Sequence, residues 1–379
     1  MIPLAVPNLS GNERKNLLEC IETNFVSSVG PFVDRFEKMV VQACKSIDSI
    51  AVSSGTTGLH LALTAVGVKH NDLVVLPSFT FIASANAIAH CGASPWLFDI
   101  TRESWTLNPD QLSEELRKST HYSSGNLIHS ETGRRVAAIL PVYTFGMPGD
   151  MDAINAIAKE FELPVIADAA AALGAKYRGR DIGELADISV CSFNGNKTVT
   201  CGGGGSIFGN NEKLLRKARH LSTTARLGTD YDHDEVGFNY RMTNVQAAIG
   251  CAQLEQLESF VLRKQKINDS YTKAACELGG IEPFPAPKWA KSACWFSGVF
   301  LENRNGLDHV LQGLLELGIE ARPFWKPIHL QAPYIRCPRT DLKVSEKIWR
   351  KIVTLPSSTS ITEDEIIYVI NSLKKVCTS

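Results

Sequence analysis

Several features are missing from this sequence, and each absence closes off a class of function. No segment approaches the roughly 18 continuous apolar residues that a membrane-spanning helix needs. The ten cysteines, scattered from Cys20 to Cys377, form no Cys-x-x-Cys pair, so neither a zinc ribbon nor a thioredoxin-like motif is expected, and no metal site is assigned. The formal net charge is −1, so nothing in the charge balance favours nucleic acid or an anionic membrane. Short basic clusters such as LRKARH read as solvated helix faces. The opening stretch MIPLAVPNLSGNERK lacks a basic region followed by an apolar core, so no secretory signal is expected there. Internal repeats and low-complexity tracts are absent. What is present is a 379-residue chain, 44% hydrophobic, able to bury a substantial core and long enough for two domains. Its thiols, with no disulfide framework, fit a reducing cytoplasm.

From about residue 50 to 208 short apolar runs alternate with helical patterns. SIAV leads to GLHLALTAVGV, LVVLP to FIASANAIAHCG, and VAAILPVY to MDAINAIAKEF, followed by LPVIADAA, ADISVCSF and GGSIF. Apolar runs of this length between helices require a buried, largely parallel sheet. Ligand sites of such sheets gather where the strands end. After residue 210 the pattern becomes helical, with one long helical stretch from Asn244 to Leu278, and then mixes short strands with helices. Thr362 and Glu365 have capping-box spacing at the last helix. The expectation is an α/β protein with a large domain over residues 1–250 and a smaller α+β domain over 251–379.

The stretch SVCSFNGNKTVTCGGGGSIF poses the chemical question. A P-loop needs its glycines before a Gly-Lys-Ser/Thr that opens a helix. Here four glycines follow Lys197, and the next segment reads as a strand, so a phosphate-cradling P-loop is set aside. A lysine that attacks an aldehyde needs a fixed place at a strand end, a lowered pKa and an electron sink. Pyridoxal phosphate is such a sink if a carboxylate keeps its ring nitrogen protonated. Asp168, in LPVIADAAAALG, stands after an apolar strand and before what reads as a small-residue helix; an aspartate so placed is, by itself, more often a cap or turn residue. VSSGTTGLHLAL offers a helix start with Gly55, Thr56 and Thr57 for an anion, though an ordinary capped helix has the same look. Phe79 and Phe81 follow a strand, either as core filler or as a flat neighbour for a ring. Ser192 is a further phosphate donor candidate.

In this chain order the set has the layout of a fold-type I pyridoxal phosphate enzyme. The sequence resembles the DegT/DnrJ/EryC1/StrS aminotransferases through VSSVGPFVDRFEK, SSGTTGLHLAL, PSFTFIASANAI, PVYTFGMPGDMDAI, DAAAALGA, SFNGNKTVTCGGGG, GFNYRMTNVQAAIG, RPFWKPIHLQAPY and LPSS, nearly end to end. The resemblance implies that Lys197 is the Schiff-base lysine and that Asp168 pairs with the pyridine nitrogen. It implies that Gly55, Thr56, Thr57 and Ser192 hold the phosphate, and that Phe81 stacks on the ring. Asn239 would reach the phosphate from a second subunit, implying a homodimer. Ser28, Arg241 and His329 would lie near the sugar nucleotide, although His329 by itself reads as a packing histidine. Two positions depart from the pattern. Ala171 stands where many relatives carry Gln, His or Glu near the ring's oxygen, and Gly203 replaces a glutamate. The implied activity is transfer of an amino group from L-glutamate to a nucleotide-linked 4-keto-6-deoxy sugar in bacterial surface-glycan synthesis. The motifs look most like the subgroup acting on UDP-linked N-acetylhexosamines, with a GDP- or dTDP-linked sugar as the alternative. A sugar dehydratase of this family would carry histidine at position 197. A non-catalytic binding protein would not need the complete Lys/Asp/Ser/Thr set.

Overall fold

The computed structural model describes residues 1–302 and 306–378. Its organising element is one sheet, running in space through strands Ser94–Phe98, Leu73–Pro77, Arg134–Ile139, Ile166–Asp168, Ile188–Ser192, Gly205–Gly209 and Asp48–Val52. Parallel bridges Ile139–Val165 and Val142–Asp168 join its two halves. The strands are parallel except at Gly205–Gly209, which runs antiparallel to both neighbours. This is the largely parallel α/β sheet of a fold-type I enzyme.

The period-2 alternation of the strands sorts side chains onto two faces. Ala51, Val75, Trp96, Ala167, Cys191 and Phe208 face the helices Pro31–Cys44, Met151–Glu160 and Asn244–Leu254. Ile50, Val52, Val74, Leu97, Ile166, Val190 and Ile207 face Gly55–Ala65, Ile82–His90 and Glu212–Ser222. Both faces are therefore covered, which is why the strands read as continuous apolar runs. Each such side chain contributes about 1.5–3 kcal/mol when fully buried. Gly58 lets its helix lie close on the sheet: a Cβ there would sit 2.8 Å from Val190 and 3.2 Å from Val52.

A second, smaller antiparallel sheet orders Ile281–Pro283, Ser297–Leu301, Ile352–Leu355 and Arg322–Pro323. Its core joins Val299 and Val353 to Ile267 and Tyr271 of helix Leu257–Glu277, Val310 and Leu314 of Leu307–Glu316, and Val369 and Leu373 of Glu363–Thr378. The first residues of the chain pair here too, Ile2 bridging Ile319. The Thr362–Glu365 capping box forms as its spacing predicts, with Thr362 N donating to Glu365 Oε2 at 2.9 Å and Glu365 N to Thr362 Oγ1 at 3.2 Å.

Two local expectations are corrected. The helical stretch after Asn244 is two helices, Asn244–Leu254 and Leu257–Glu277, broken at Glu255 and Gln256. The alanines after Asp168 form turns, not a helix, because Ala169 N is held by Val190 O at 2.9 Å and Gly174 turns left-handed at φ +87°. Among the described residues no helix is long and apolar enough to cross a membrane.

Candidate active site

A cavity of about 500 Å³ opens at the carboxyl ends of the central strands, roofed by residues of the smaller sheet. Gly55, Thr56, Phe81, Asp168, Ala171, Ser192 and Lys197 all line it. They come from four segments of the chain, which the strand order brings together.

One end of the cavity is built on the start of helix Gly55–Ala65. Ser54 and Thr57 form a reciprocal capping box: Thr57 N donates to Ser54 Oγ at 3.1 Å and Ser54 N to Thr57 Oγ1 at 3.0 Å. The Thr57 hydroxyl is thereby engaged inside the turn, and Thr57 does not line the cavity. The amides of Gly55 and Thr56 find no acceptor among the described residues, as expected for a helix's first turn. Ser192, at the end of its strand, lies against this turn so closely that a Cβ on Gly55 would be 2.9 Å from Ser192 Cβ. From the other side, a Cβ on Gly205 would be 2.5 Å from the Ser54 carbonyl oxygen. Free amides, a helix dipole and two hydroxyls, those of Thr56 and Ser192, suit a phosphate.

At the other end Asp168 is 5% exposed. Its Oδ2 accepts from Ser84 Oγ at 2.6 Å and its Oδ1 from Ala170 N at 3.1 Å. Burial raises its pKa, against the opposing pull of these two donors and of Lys197. A buried carboxylate with only neutral hydrogen-bond donors in contact is a favourable place for a cation such as a protonated ring nitrogen.

Lys197 sits in the loop between strands Ile188–Ser192 and Gly205–Gly209. Its amide donates to Asn194 O at 3.0 Å, while Phe193 and Gly204 pair at 2.9 Å and close the loop's base. Gly202 at φ +76° and Gly204 at φ +144° supply turns that other residues rarely make. The glycine run therefore shapes the loop that presents Lys197. Burial lowers the Lys197 pKa to about 8, partly offset by the negative charge of Asp168. Its Nζ lies 3.6 Å from the centroid of the Trp295 indole. The residues thus fit pyridoxal phosphate: an anion-binding helix start, a carboxylate for the ring nitrogen, and an amine of lowered pKa between them.

Other sequence candidates lie outside this cavity. Asn239 is exposed and bridges Thr223, and Arg241 is partly buried and bridges Val52. Ser28 stands on a loop held by Asn244, whose amide N donates to Ser27 O at 2.6 Å and whose Nδ2 donates to Phe25 O at 2.8 Å. His329 is buried, with Nδ1 2.7 Å from Ser78 Oγ and Nε2 3.2 Å from Glu346 Oε1. Burial pulls its pKa down. Of the two phenylalanines, Phe79 is buried in an aromatic cluster, and Phe81 is 55% exposed at the cavity with Trp325 6.2 Å away.

The cavity also recruits residues that the sequence reading did not single out: Asn196, Trp295, Arg322 and Trp325. Arg322 and Trp325 belong to the RPFW motif and could have been found there. Trp295 reads only as part of a strand.

Comparison with known proteins agrees with this geometry. The model of the DegT/DnrJ/EryC1/StrS aminotransferase family matches residues 7–374. The GDP-perosamine synthase of Caulobacter vibrioides is 38% identical, covering 99% of this chain and 98% of its own. The GDP-perosamine synthase of Escherichia coli O157:H7 is 33% identical over the same shares, 99% and 98%. Among solved structures, a DegT DnrJ EryC1 StrS aminotransferase from Brucella abortus superposes with a TM-score of 0.88 at 27% identity, over 96% of this chain and 95% of that one.

Proposed function

Because the chain belongs to the DegT/DnrJ/EryC1/StrS aminotransferase family and is a pyridoxal phosphate-dependent sugar aminotransferase, we propose that it transfers the amino group of L-glutamate to the 4-keto carbon of a GDP-linked 6-deoxy sugar. The observation that carries the chemistry is the meeting of Lys197 and Asp168 in one cavity with a helix N-terminus. The acceptor is proposed as GDP-linked, not as the UDP-linked N-acetylhexosamine that the motifs resemble. What supports this is that full-length relatives from Caulobacter and Escherichia are both named GDP-perosamine synthase.

When bound, pyridoxal phosphate supplies the electron sink and carries the amino group between the two substrates. In this reading Lys197 is its covalent anchor, Asp168 pairs with its ring nitrogen, and the Gly55 amide, Thr56 and Ser192 hold its phosphate. Phe81 covers the ring, and Ala171 leaves the ring's oxygen without a side-chain donor. Freed from the cofactor, the Lys197 amine moves the proton at the carbon that bears nitrogen. With its pKa near 8, it has both forms available near neutral pH, as an acid–base group requires. Ser84 fixes the Asp168 carboxylate through its 2.6 Å hydrogen bond.

We also assign the active assembly as a homodimer. Asn239 is exposed, and Phe25, Val26, Val29 and Val236 near it are exposed apolar residues that a second copy would cover. In this reading Ser28 and Arg241 meet the acceptor from the dimer side of the site. His329 is left out of the acceptor site because both its ring nitrogens are engaged.

The test incubates the purified protein with L-glutamate and a GDP-linked 4-keto-6-deoxyhexose, measuring 2-oxoglutarate and the aminated sugar by mass spectrometry. Wild type forms both and Lys197→Ala forms neither. Turnover of only UDP- or dTDP-linked acceptors would overturn the acceptor assignment, and normal turnover by Lys197→Ala would overturn the role of Lys197.

A further inference from the structure

Lys264 is a lysine with no carboxylate partner among the described residues, buried to 3% exposure in the helix Leu257–Glu277. Its Nζ donates to Trp295 O at 2.9 Å and also to Ser357 O. Burying an ammonium is costly, and a methionine of similar volume would fill the space without that cost. The two carbonyls that it holds lie on segments of the smaller unit that flank the cavity.

Trp295 connects this buried ammonium to Lys197. Its indole Nε1 donates to Asn196 O at 2.7 Å, fixing the peptide just before Lys197. The face of the same indole carries the Lys197 amine, 3.6 Å from its centroid. The backbone around Trp295 is also clamped. Trp295 N donates to Phe145 O at 3.2 Å and Ala293 N to Gly146 O at 2.9 Å. Cys294 and Phe145 both hold left-handed conformations, at φ +51° and +57°. Non-glycine residues enter that region at a conformational cost, so the surrounding contacts determine the direction of the indole.

We propose that the indole face of Trp295 is the resting place of the free Lys197 amine, and that the Lys264 side-chain nitrogen, as ammonium or as amine, holds that face in position through the Trp295 carbonyl. The proposal rests on the reading of Lys197 as the reacting amine. Trp295 and Lys264 are positioning residues. A lysine stem has four rotatable bonds, and an amine released from a covalent bond would otherwise scatter over many rotamers. A flat aromatic face holds it near the reacting carbon, and favours its protonated form. The titratable groups that face Lys197 are Asp168 and Cys191, and Cys294 faces Lys264.

The test reads Lys197 directly on the full-length, cofactor-free protein. Competitive acetylation with acetic anhydride, mapped by mass spectrometry, gives the pH midpoint of its amine. For wild type the expected midpoint is about 8. In Trp295→Leu, which keeps the site apolar but removes the ring, the midpoint falls by about half a pH unit. Trp295→Phe, a milder change that keeps an aromatic face, recovers part of the shift. Lys264→Met moves the midpoint in the same direction, and Lys264→Gln, which still offers an N–H to the carbonyl, restores it. With cofactor bound, Trp295→Leu lowers kcat more than it raises KM for either substrate. An unchanged or raised midpoint in Trp295→Leu would overturn the resting place. A Lys264→Met midpoint equal to wild type would overturn the anchor. Failure of pyridoxal phosphate to attach to Lys197 in wild type would instead remove the functional reading, and the cofactor-free midpoints would still decide the contact.

Discussion

Gly55→Ala separates the stability of the fold from the making of the phosphate site. The new Cβ would stand 2.9 Å from Ser192 Cβ and 3.3 Å from Ser192 Oγ. Neither partner can retreat easily. Ser192 is paired with Gly205 in the sheet, and the backbone of Ser54 and Gly55 is already pressed by Gly205, whose own Cβ position is 2.5 Å from the Ser54 oxygen. Two terms then oppose each other in the fold's stability. Alanine gains up to about 1 kcal/mol over glycine in a helix, less in its first turn. Overpacking of this kind costs about 1–3 kcal/mol. The net is a loss of about 1 kcal/mol, which in a chain of this size lowers Tm by about 2 °C or less. The cofactor is affected much more. The Gly55 amide and the Ser192 hydroxyl must reach one phosphate, and pushing them apart removes a hydrogen bond to a charged group, worth about 1.5–3 kcal/mol. That is about a tenfold to hundredfold rise in Kd. Titrating cofactor-stripped protein with pyridoxal phosphate by absorbance, beside a thermal melt, measures both quantities. A variant that binds the cofactor within twofold of wild type, with the same small loss in Tm, would refute the reasoning that this turn holds the phosphate.

Three further outcomes follow from the same geometry. Asp168→Asn keeps the fold, since a buried carboxylate whose pKa is raised by burial is replaced by a neutral isostere, but it loses turnover by orders of magnitude; near-wild-type rates would mean that another group protonates the ring. Thr57→Ala loses its capping-box partner and about 1 kcal/mol of stability while its cofactor Kd stays unchanged, and a large rise in Kd in the same titration would return the Thr57 hydroxyl to the phosphate. The third concerns Lys264, whose pKa burial lowers from 10.5 to about 7. Between those values the unfolded chain binds the additional proton, so the lysine's penalty is full below pH 7 and is relieved as pH rises toward 10.5. Urea unfolding of wild type and Lys264→Met from pH 6.5 to 9.5 shows the difference shifting toward wild type by a few kcal/mol; a difference that is flat with pH contradicts a Lys264 whose pKa burial has lowered.

The sheet was legible because a strand covered on both faces needs apolar side chains at every position, and LVVLP is buried throughout. The turns after Asp168 were not legible. DAAAALG has strong helix propensity, but Ala169 N is held to the neighbouring strand by Val190 O, and the backbone then makes i→i−3 turns, Ala172 N to Ala169 O and Ala175 N to Ala172 O, both at 2.9 Å. Tertiary pairing overrides propensity there. The break at Glu255 and Gln256 shows in the backbone, where Gln256 N donates to Gln253 O at 3.0 Å, an i→i−3 bond that closes the first helix before the second begins. Ser54-x-x-Thr57 has capping-box spacing, the same signal that correctly placed Thr362 and Glu365, so the engagement of the Thr57 hydroxyl within its own helix start was legible too.

The candidate site divides along the same line. Groups assigned to the cofactor's two ends lie on contiguous motifs, because a strand end and the loop or helix beside it carry them together: Asp168 after its strand, Ser192 five residues before Lys197, Gly55 and Thr56 at one helix start. Groups that form the cavity's far wall do not. Trp295 is 98 residues from the lysine that it touches, and nothing in CWFSGVF distinguishes a ring facing the small core from one facing the cavity. What decides is a set of contacts made at a distance: the left-handed Cys294, the Phe145 carbonyl, the Asn196 carbonyl and the Lys264 ammonium. The three hydrogen bonds join segments far apart in the chain, and Cys294 is a strained residue beside them inside an otherwise apolar roof. Buried polar groups that hold backbone carbonyls of distant segments are therefore the place to look for the residues that govern the reacting lysine, and Lys264, which has no role in the motif-based reading, is where that argument leads.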